Sequence, residues 1–168
     1  MPATYEPIAT TTLGSADTVT FSSISSTYTD LVLVCLARGS YADPLGIVKL
    51  RFNGDSGSNY SSTKVYGDGS SAGSGRSSNQ TAIEAEYIVG STGASNSFGL
   101  AIFQFSNYSN ATTYKSILHR CNNAASFVSA GVHTWRSTSA ISSIAITESL
   151  GTNFAAGSTF TLYGVKAA

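Results

Sequence analysis

The sequence predicts an all-β protein, an antiparallel β-sandwich of jelly-roll-like topology with about ten short strands. Ser and Thr account for 48 of its 168 residues (29 and 19), and both are unfavourable in helix interiors because their hydroxyls compete for backbone hydrogen bonds. Aromatic residues make up 11% of the chain, which argues against disorder. Short apolar or alternating runs recur between turn residues, as in a sandwich or barrel. The best helix candidate, residues 107–113, could equally be a turn.

Ten segments combine strand length with β-branched and aromatic residues. In chain order they are residues 5–12, 18–21, 31–37, 47–52, 82–89, 98–106, 114–120, 127–136, 141–147 and 159–165. Segments 31–37 and 98–105 are apolar on both faces, so we expect each at the centre of a sheet with both faces covered. Segment 141–147 mixes apolar and polar positions, as a half-exposed strand does. Leu33 and Ile102 are accordingly predicted to be buried.

Three further segments connect or flank these strands. Residues 53–59 contain Asn, Asp and Gly, which accept left-handed backbone angles. Residues 67–79 are rich in Gly and Ser and are predicted to form a flexible loop, either a functional surface or a segment ordered by a neighbouring chain. Residues 1–15 form either an extended N-terminal arm or an edge strand. Residues 16–168 then constitute a single sandwich domain.

The charge pattern limits the classes of partner. Nine acidic residues balance nine Lys and Arg, and the cations are scattered from Arg38 to Lys166. Nucleic-acid binding ordinarily needs a basic patch, so no nucleic-acid partner is expected. Only 11% of residues are charged, against about 25% in typical domains. Because so few charges repel neighbouring copies, we expect association into a homo-oligomer.

The sequence also predicts the compartment. It contains no run of 18 apolar residues and no signal peptide at its start, so we expect no membrane partner and folding in a reducing cytoplasm. Cys35 and Cys121 lie in strand-like apolar runs. We interpret them as two buried thiols; a disulfide would require their strands to be neighbours.

Two catalytic patterns lack the structural context that they require. Residues 69–73 read Gly-Ser-Ser-Ala-Gly, which matches a hydrolase nucleophile pattern, but neither a strand precedes it nor a helix follows it. His119 and His133 lie in strand segments, where ordinary polar strand positions explain them better than catalysis or metal ligation.

Paired carboxylates offer a sharper catalytic hypothesis. Glu84 and Glu86 are two apart on a strand and share a face, and two carboxylates can cleave glycosidic bonds. A solvated strand face is the favoured interpretation. A calcium site on Asp55, Asn59 and Asp68 is weaker still, because the spacing matches no twelve-residue calcium loop. We therefore predict no enzymatic activity, no cofactor and no metal.

Polar and aromatic residues near the loops form the candidate contact surface. Aromatic rings beside Asn and Asp bind sugars or anchor protein interfaces, with core or rim packing as the alternative. The candidate residues are Asp55, Asn59, Tyr60, Tyr66, Asp68, Arg76, Asn79 and Trp135; Tyr108 shares their loop-proximal setting.

Several segments together resemble small virion proteins of tailed bacteriophages, particularly phages of aquatic bacteria. They are YTDLVLV at residues 28–34, FNGDSGSNYS at 52–61, NYSN at 107–110 with Tyr114 and Lys115, and GSTFTLYGV at 157–165. The similarity spans about residues 5–165 and contains no chemically diagnostic motif. It implies a particle component with a β-sandwich or jelly-roll fold and no catalytic residues to carry over.

The resemblance leaves two locations on the particle open. The first hypothesis is a capsid decoration or cement protein, trimeric by analogy, that strengthens contacts between shell subunits. The second is a tail-fibre or tail-tip component whose loop 67–79 and exposed tyrosines bind a host-surface glycan. Either implies assembly in the host cytoplasm, a location in the virion, and other virion proteins as partners. Copy number per particle separates the two.

Overall fold

The chain folds into an all-β structure, shown by a computed structural model that describes residues 4–123, 126–151 and 153–166, with all of their side chains except that of Glu86. Twelve strands lie within the described residues, and every pair of neighbouring strands is antiparallel. They are β1 Tyr5–Thr12, β2 Val19–Phe21, β3 Asp30–Ala37, β4 Leu45–Phe52, β5 Tyr60–Gly67, β6 Ala72–Gln80, β7 Ile83–Val89, β8 Gly99–Ser106, β9 Lys115–Asn122, β10 Val128–Trp135, β11 Ile144–Glu148 and β12 Thr159–Val165.

The strands form two sheets that pack as a β-sandwich, as predicted. The large sheet has eight strands in the order β1-β12-β3-β8-β9-β10-β5-β6, and the small sheet has four in the order β2-β11-β4-β7. This arrangement establishes the sandwich but not a jelly roll. All ten predicted strands are present, and β5 and β6 are two strands that the sequence did not predict.

The core lies between the inner faces of the two sheets. Leu33, Phe103 and Phe160 of the large sheet and Phe52 and Ile146 of the small sheet have no exposed surface. The prediction for Leu33 is therefore confirmed. The prediction for Ile102 is wrong, because Ile102 is only half-buried and points to the opposite face of its strand.

Residues 67–79 do not form the predicted flexible loop. Most of them belong to β6, which pairs with β5 from Gly67↔Ala72 to Ser62↔Ser77. The Asp68 carboxylate closes the turn between the two strands by accepting hydrogen bonds from the backbone N–H groups of Ser70 (2.9 Å) and Ser71 (2.7 Å). Side-chain patterning missed this strand because the ladder to β5 and the turn order it, whereas its own Gly and Ser side chains bury little.

Other connecting segments follow their residue types. Asn53 and Gly54, with φ of 52° and 71°, adopt the left-handed conformation predicted for residues 53–59. Residues 107–113 form turns and bends and contain no helix. At the other end of the large sheet, β1 is an edge strand that pairs with β12 from Tyr5↔Val165 to Thr12↔Thr159.

Candidate interaction surface

The large sheet presents an apolar outer face, the side-chain face that points away from the small sheet. Strand register aligns its residues in rows that cross the sheet, for example Val65, Ala130, Arg120, Ile102 and Val34. Ten apolar residues on five adjacent strands form what we call the apolar patch. They are Val32, Val34, Leu36, Val65, Leu100, Ile102, Leu118, Val128, Ala130 and Val132.

The apolar patch is open to solvent over much of its area. Leu36, Val65, Leu118, Val128 and Val132 are between 39% and 60% exposed. A shallow groove of about 450 Å³ runs between β5, β8, β9 and β10, and a second of about 350 Å³ adjoins it along β5 and β10. Single exposed apolar residues are normal, but a contiguous patch marks an interaction site.

The strands that form the patch have apolar side chains on both of their faces. In β3, the inward residues Leu33 and Cys35 have no exposed surface, whereas Leu36 on the opposite face is 46% exposed. A strand that is apolar on both faces belongs in a sheet covered on both sides. The small sheet covers only the inner face, so the described residues leave much of the outer face of these strands open to solvent.

Polar groups border the patch. On one side, Thr10 and Thr161 share a hydroxyl hydrogen bond of 3.1 Å across β1 and β12, and Thr12 and Thr159 share another of 3.1 Å. On the other side, Arg76 of the edge strand β6 is exposed and aligns with Thr63, which is opposite Val132. Of the eight predicted contact residues, Arg76 is the one at the rim of this face.

Three of the predicted contact residues belong to a structural network instead. Tyr60 and Trp135 are buried, so their assignment to a contact surface is wrong. The Asp55 carboxylate accepts a hydrogen bond of 2.7 Å from the Trp135 indole N–H, and the Tyr60 hydroxyl donates to the Asp55 backbone carbonyl at 3.0 Å. The rings pack on Phe52 in the core. Loop proximity in the sequence did not reveal that these rings turn inward; Tyr108 is buried in the same way.

The remaining predicted residues lie apart from one another. Asn59 donates to Asp55 at 3.0 Å, and Asn79 accepts from Arg136 at 2.9 Å, which ties the end of β6 to the residue that follows β10. Asp68 lies beyond the other end of β5, about 25 Å away by strand rise. Asp55 and Asn59 therefore cannot share a calcium ion with Asp68.

Tyr66 belongs to a half-buried aromatic cluster near the β5–β6 turn. Its ring stacks on Phe127, with centroids 5.7 Å apart, and Tyr87 lies against Phe127 and 6.2 Å from Tyr66. Tyr87 has a φ of 78°, a conformation that bulky residues rarely adopt, at a bulge where β7 pairs with β4. Strain of this kind often accompanies functional sites.

The two histidines form a buried chain of polar groups with Ser129 and Cys121. The His133 Nε2 and His119 Nδ1 atoms lie 2.8 Å apart, and Ser129 Oγ lies 3.4 Å from His119 Nε2 and 2.9 Å from Cys121 Sγ. All four residues are at most 4% exposed. Among the described residues His133 Nδ1 has no hydrogen-bond partner. Because they are buried to this extent, these four polar residues are part of the core and do not form an open site.

Burial determines the protonation state of His133. Desolvation, with smaller contributions from the charges of His119 and Lys64, lowers the pKa of His133 to about 3. His133 is therefore neutral in the folded protein at neutral pH. Gly131, opposite His119 in the register, leaves room for the ring, because a Cβ at Gly131 would lie 2.8 Å from His119 Cε1.

The other chemical candidates also have structural roles. Glu84 accepts a hydrogen bond of 2.6 Å from the Ser149 hydroxyl and lies 3.7 Å from the Lys49 ammonium; the side chain of Glu86 lies outside the described residues. Cys35 and Cys121 are buried thiols, as predicted. They are separated by Ala101 of the intervening strand. In the described ranges, no three His, Cys, Asp or Glu side chains are grouped to hold a metal ion.

Comparisons with protein-family models, with curated proteins and with solved structures found no match. A helix able to cross a membrane is absent from the part of the chain that the structure describes. The fold is a β-sandwich, and its most distinctive surface feature is the apolar patch.

Proposed function

We propose that this chain is a non-enzymatic structural protein of a tailed-phage virion, in which its apolar patch packs against a neighbouring subunit. The leading assignment is a capsid decoration or cement protein that stabilises the shell. The uncovered apolar face of the large sheet carries this proposal. A protein that stands alone in water gains nothing from Val65, Leu118 and Val128 at exposures above 50%, whereas an assembly subunit buries such residues against its neighbour.

The electrostatics and the sequence support an assembly role. The net charge is zero, so packed subunits repel one another weakly. The resemblance of residues 5–165 to small virion proteins of tailed phages supplies the particular assembly, a virion formed in the host cytoplasm. The partners are then other virion proteins, with neither nucleic acid nor membrane.

The polar residues support a non-enzymatic role. Ser129 lies beside a histidine, His119, but both residues are buried in the core. Glu84 is engaged by Lys49 and Ser149. Ser129 is not at the surface, and Glu84 borders a groove of only about 70 Å³, whereas a hydrolase places its reactive group in a groove that admits the substrate.

A second candidate function is glycan binding at the tail, favoured by the cluster of Tyr66, Tyr87 and Phe127. A groove of about 350 Å³ adjoins it, lined by Asp68, Asn122 and Phe127 among others. An aromatic ring beside acceptor groups suits a sugar, which stacks its apolar face on the ring. In this alternative the chain is a tail-fibre or tail-tip component, and host-surface glycan is its ligand.

Incorporation into particles tests the proposed function. Phage would be produced with the wild-type chain, with Leu118→Lys in the patch, and with Leu150→Lys as the matched control. Leu150 is 44% exposed against 53% for Leu118 and lies outside the patch. We expect Leu118→Lys alone to deplete the chain from purified virions, measured by quantitative mass spectrometry. Normal incorporation of Leu118→Lys would overturn the use of the patch, and absence of the wild-type chain from virions would overturn the virion assignment.

The number of copies in the same wild-type particles separates the two locations. Hundreds of copies per virion support decoration of the shell. A small multiple of three or six supports the tail, and direct binding of host polysaccharide, abolished by Tyr66→Ala, would then establish the glycan-binding function.

A further inference from the structure

We propose that the occupant of the apolar patch is the same patch of a second copy of this chain, so that two large sheets pack face to face about a two-fold axis. This inference rests on the proposed function, because both use the patch, and it goes further by naming the partner. The arrangement would bury the outer face of β3 and β8 in the way that their double-sided apolar pattern requires.

Shape favours a second sheet as the partner. Sheets pack face to face at about 10 Å, with side chains from both surfaces interdigitating. The grooves along β5, β9 and β10 lie beside the protruding side chains of Leu118 and Val132. A surface that carries both protruding side chains and a groove can pack against its own copy.

The area of the face meets the requirement of a stable pair. Eight strands at about 4.8 Å spacing, each about 27 Å long, give an outer face of about 1,000 Å². A stable interface buries about 800 Å² on each partner. The apolar patch occupies five of the eight strands, about 650 Å² at the same spacing, so the polar rim that includes the paired threonines of β1 and β12 supplies the rest of the required area.

Self-association through the patch has to accommodate one charged side chain in each copy. The apolar patch encloses one charged residue, Arg120, in the row between Ala130 and Ile102. Its side chain is exposed and long enough to reach beyond its own row. The exposed amide of Gln104, one row away on β8, offers an acceptor to the guanidinium of the second copy.

A two-fold pair differs from the trimer that the phage resemblance implies. A trimer places a patch against a different surface of the next copy, whereas a two-fold pair places the patch against itself. Besides the patch residues, the large apolar residues exposed in the described ranges are Tyr5, Tyr41, Tyr114 and Leu150. The patch has five exposed large apolar residues on adjacent strands, so the patch of a second copy is the surface that matches it best.

Sedimentation equilibrium of the purified full-length chain tests the pair. At about 50 µM we expect wild type and Leu150→Lys near 35 kDa, twice 17.4 kDa. Leu118→Lys is expected at 17.4 kDa, with unchanged far-ultraviolet circular dichroism because the position is exposed. Wild type at 17.4 kDa, a trimer of about 52 kDa (three times 17.4 kDa), or an undiminished Leu118→Lys dimer would each overturn the inference.

Thiol labelling gives a second measurement that needs no disruptive charge. Because Cys35 and Cys121 are buried, a maleimide reports an introduced surface cysteine. We expect labelling of Leu118→Cys to slow by about tenfold between about 0.1 µM and about 100 µM protein, as mass action covers the patch. Labelling of Leu150→Cys should not depend on concentration. Equal behaviour of the two variants would contradict the face-to-face pair.

The two proposals fail in different experiments. A purified chain that remains monomeric removes the second copy as partner, yet the proposed function survives if Leu118→Lys still depletes the chain from virions. A chain that dimerises through the patch but is absent from virions supports the pair and overturns the virion role.

Discussion

At the scale of single residues, His133 shows how much this core depends on protonation state. Its Nε2 atom lies 2.8 Å from His119, and its Nδ1 atom has no hydrogen-bond partner among the described residues. Burial lowers its pKa from 6.5 to about 3, so the folded state holds a neutral ring. Between these two pH values the unfolded chain binds a proton that the folded chain does not, and stability must fall as the pH falls.

We therefore expect His133 to reduce the free energy of unfolding by about 1.4 kcal/mol for each pH unit below 6.5, down to about pH 3. The His133→Phe variant keeps an aromatic ring and removes this contribution. Urea denaturation from pH 7.5 to pH 4 measures it as the difference between the two proteins. Parallel curves for wild type and variant would contradict the burial of a neutral His133.

Trp135 and Asp55 offer a second test at this scale. The indole N–H of Trp135, with the side chain of Asn59 and the backbone of Gly57, holds the pKa of Asp55 below 3.8. A lowered carboxyl pKa contributes stability above pH 3.8 that is lost as the pH falls toward the folded value. We expect Trp135→Phe to cost about 1–3 kcal/mol at pH 7, measured by chemical denaturation, and less at pH 3. A cost independent of pH would separate the indole from Asp55.

Two leucines of β3 allow the stability contributions of the two faces of the large sheet to be compared. Leu33 has no exposed surface, and Leu36, three residues later, is 46% exposed. In the monomer we expect Leu33→Ala to lower the free energy of unfolding by about 2–5 kcal/mol and Leu36→Ala by less than about 1 kcal/mol. Thermal denaturation at concentrations too low for association measures both. Equal costs would mean that the outer face is covered within the single chain.

At the scale of elements, the β5–β6 hairpin depends on its turn. Asp68 accepts hydrogen bonds from the backbone and hydroxyl groups of Ser70 and Ser71, and these bonds lower the pKa of its carboxyl. We expect Asp68→Ala to accelerate hydrogen exchange of the β6 amides, which are paired only to β5, and to leave the β3 and β8 amides unchanged. The Asp68→Asn variant, which keeps an acceptor oxygen, should restore part of the protection.

An outcome in which Asp68→Ala leaves β6 as protected as wild type would show that the ladder to β5 orders the strand without the turn. Faster exchange throughout the large sheet would show instead that the hairpin and the core open as one unit.

Apolar patterning predicted ten strands because each of those segments packs side chains into the core. β1 and β12 match their predicted ranges, residues 5–12 and 159–165. The same criterion missed β6, whose sequence AGSGRSSNQ has no large apolar residue and whose pairing depends on the neighbouring backbone. The local sequence of β6 does not predict a strand, because β6 is held in its extended conformation by backbone hydrogen bonds to β5.

The candidate surface was predicted less well. Loop proximity suggested that Tyr60 and Trp135 are exposed, but the direction of a ring depends on the tertiary packing around Phe52 and Phe105. The signal for the apolar patch was present in the double-sided apolar pattern of residues 31–37. That pattern predicts cover on both faces, but it does not distinguish a cover from the same chain from one supplied by a neighbour, because no single strand encodes the number of layers in a sandwich.

At the scale of the whole molecule, the two sheets have unequal surroundings. The small sheet and the inner face of the large sheet enclose the core, while the outer face of the large sheet presents five adjacent apolar strands to solvent. A structural protein that assembles uses such a face as an interface. Under the two proposals above, the sandwich is one half of a packed unit that a second copy completes within a virion.

A cryo-electron-microscopy reconstruction of the intact virion tests this account most directly, by locating the chain and the density nearest Leu118 and Val132. We predict that the outer face of the large sheet is covered, with a second copy's sheet about 10 Å away. The account would be contradicted if every copy in the particle turned the apolar patch toward solvent, or if no density accommodated this sandwich.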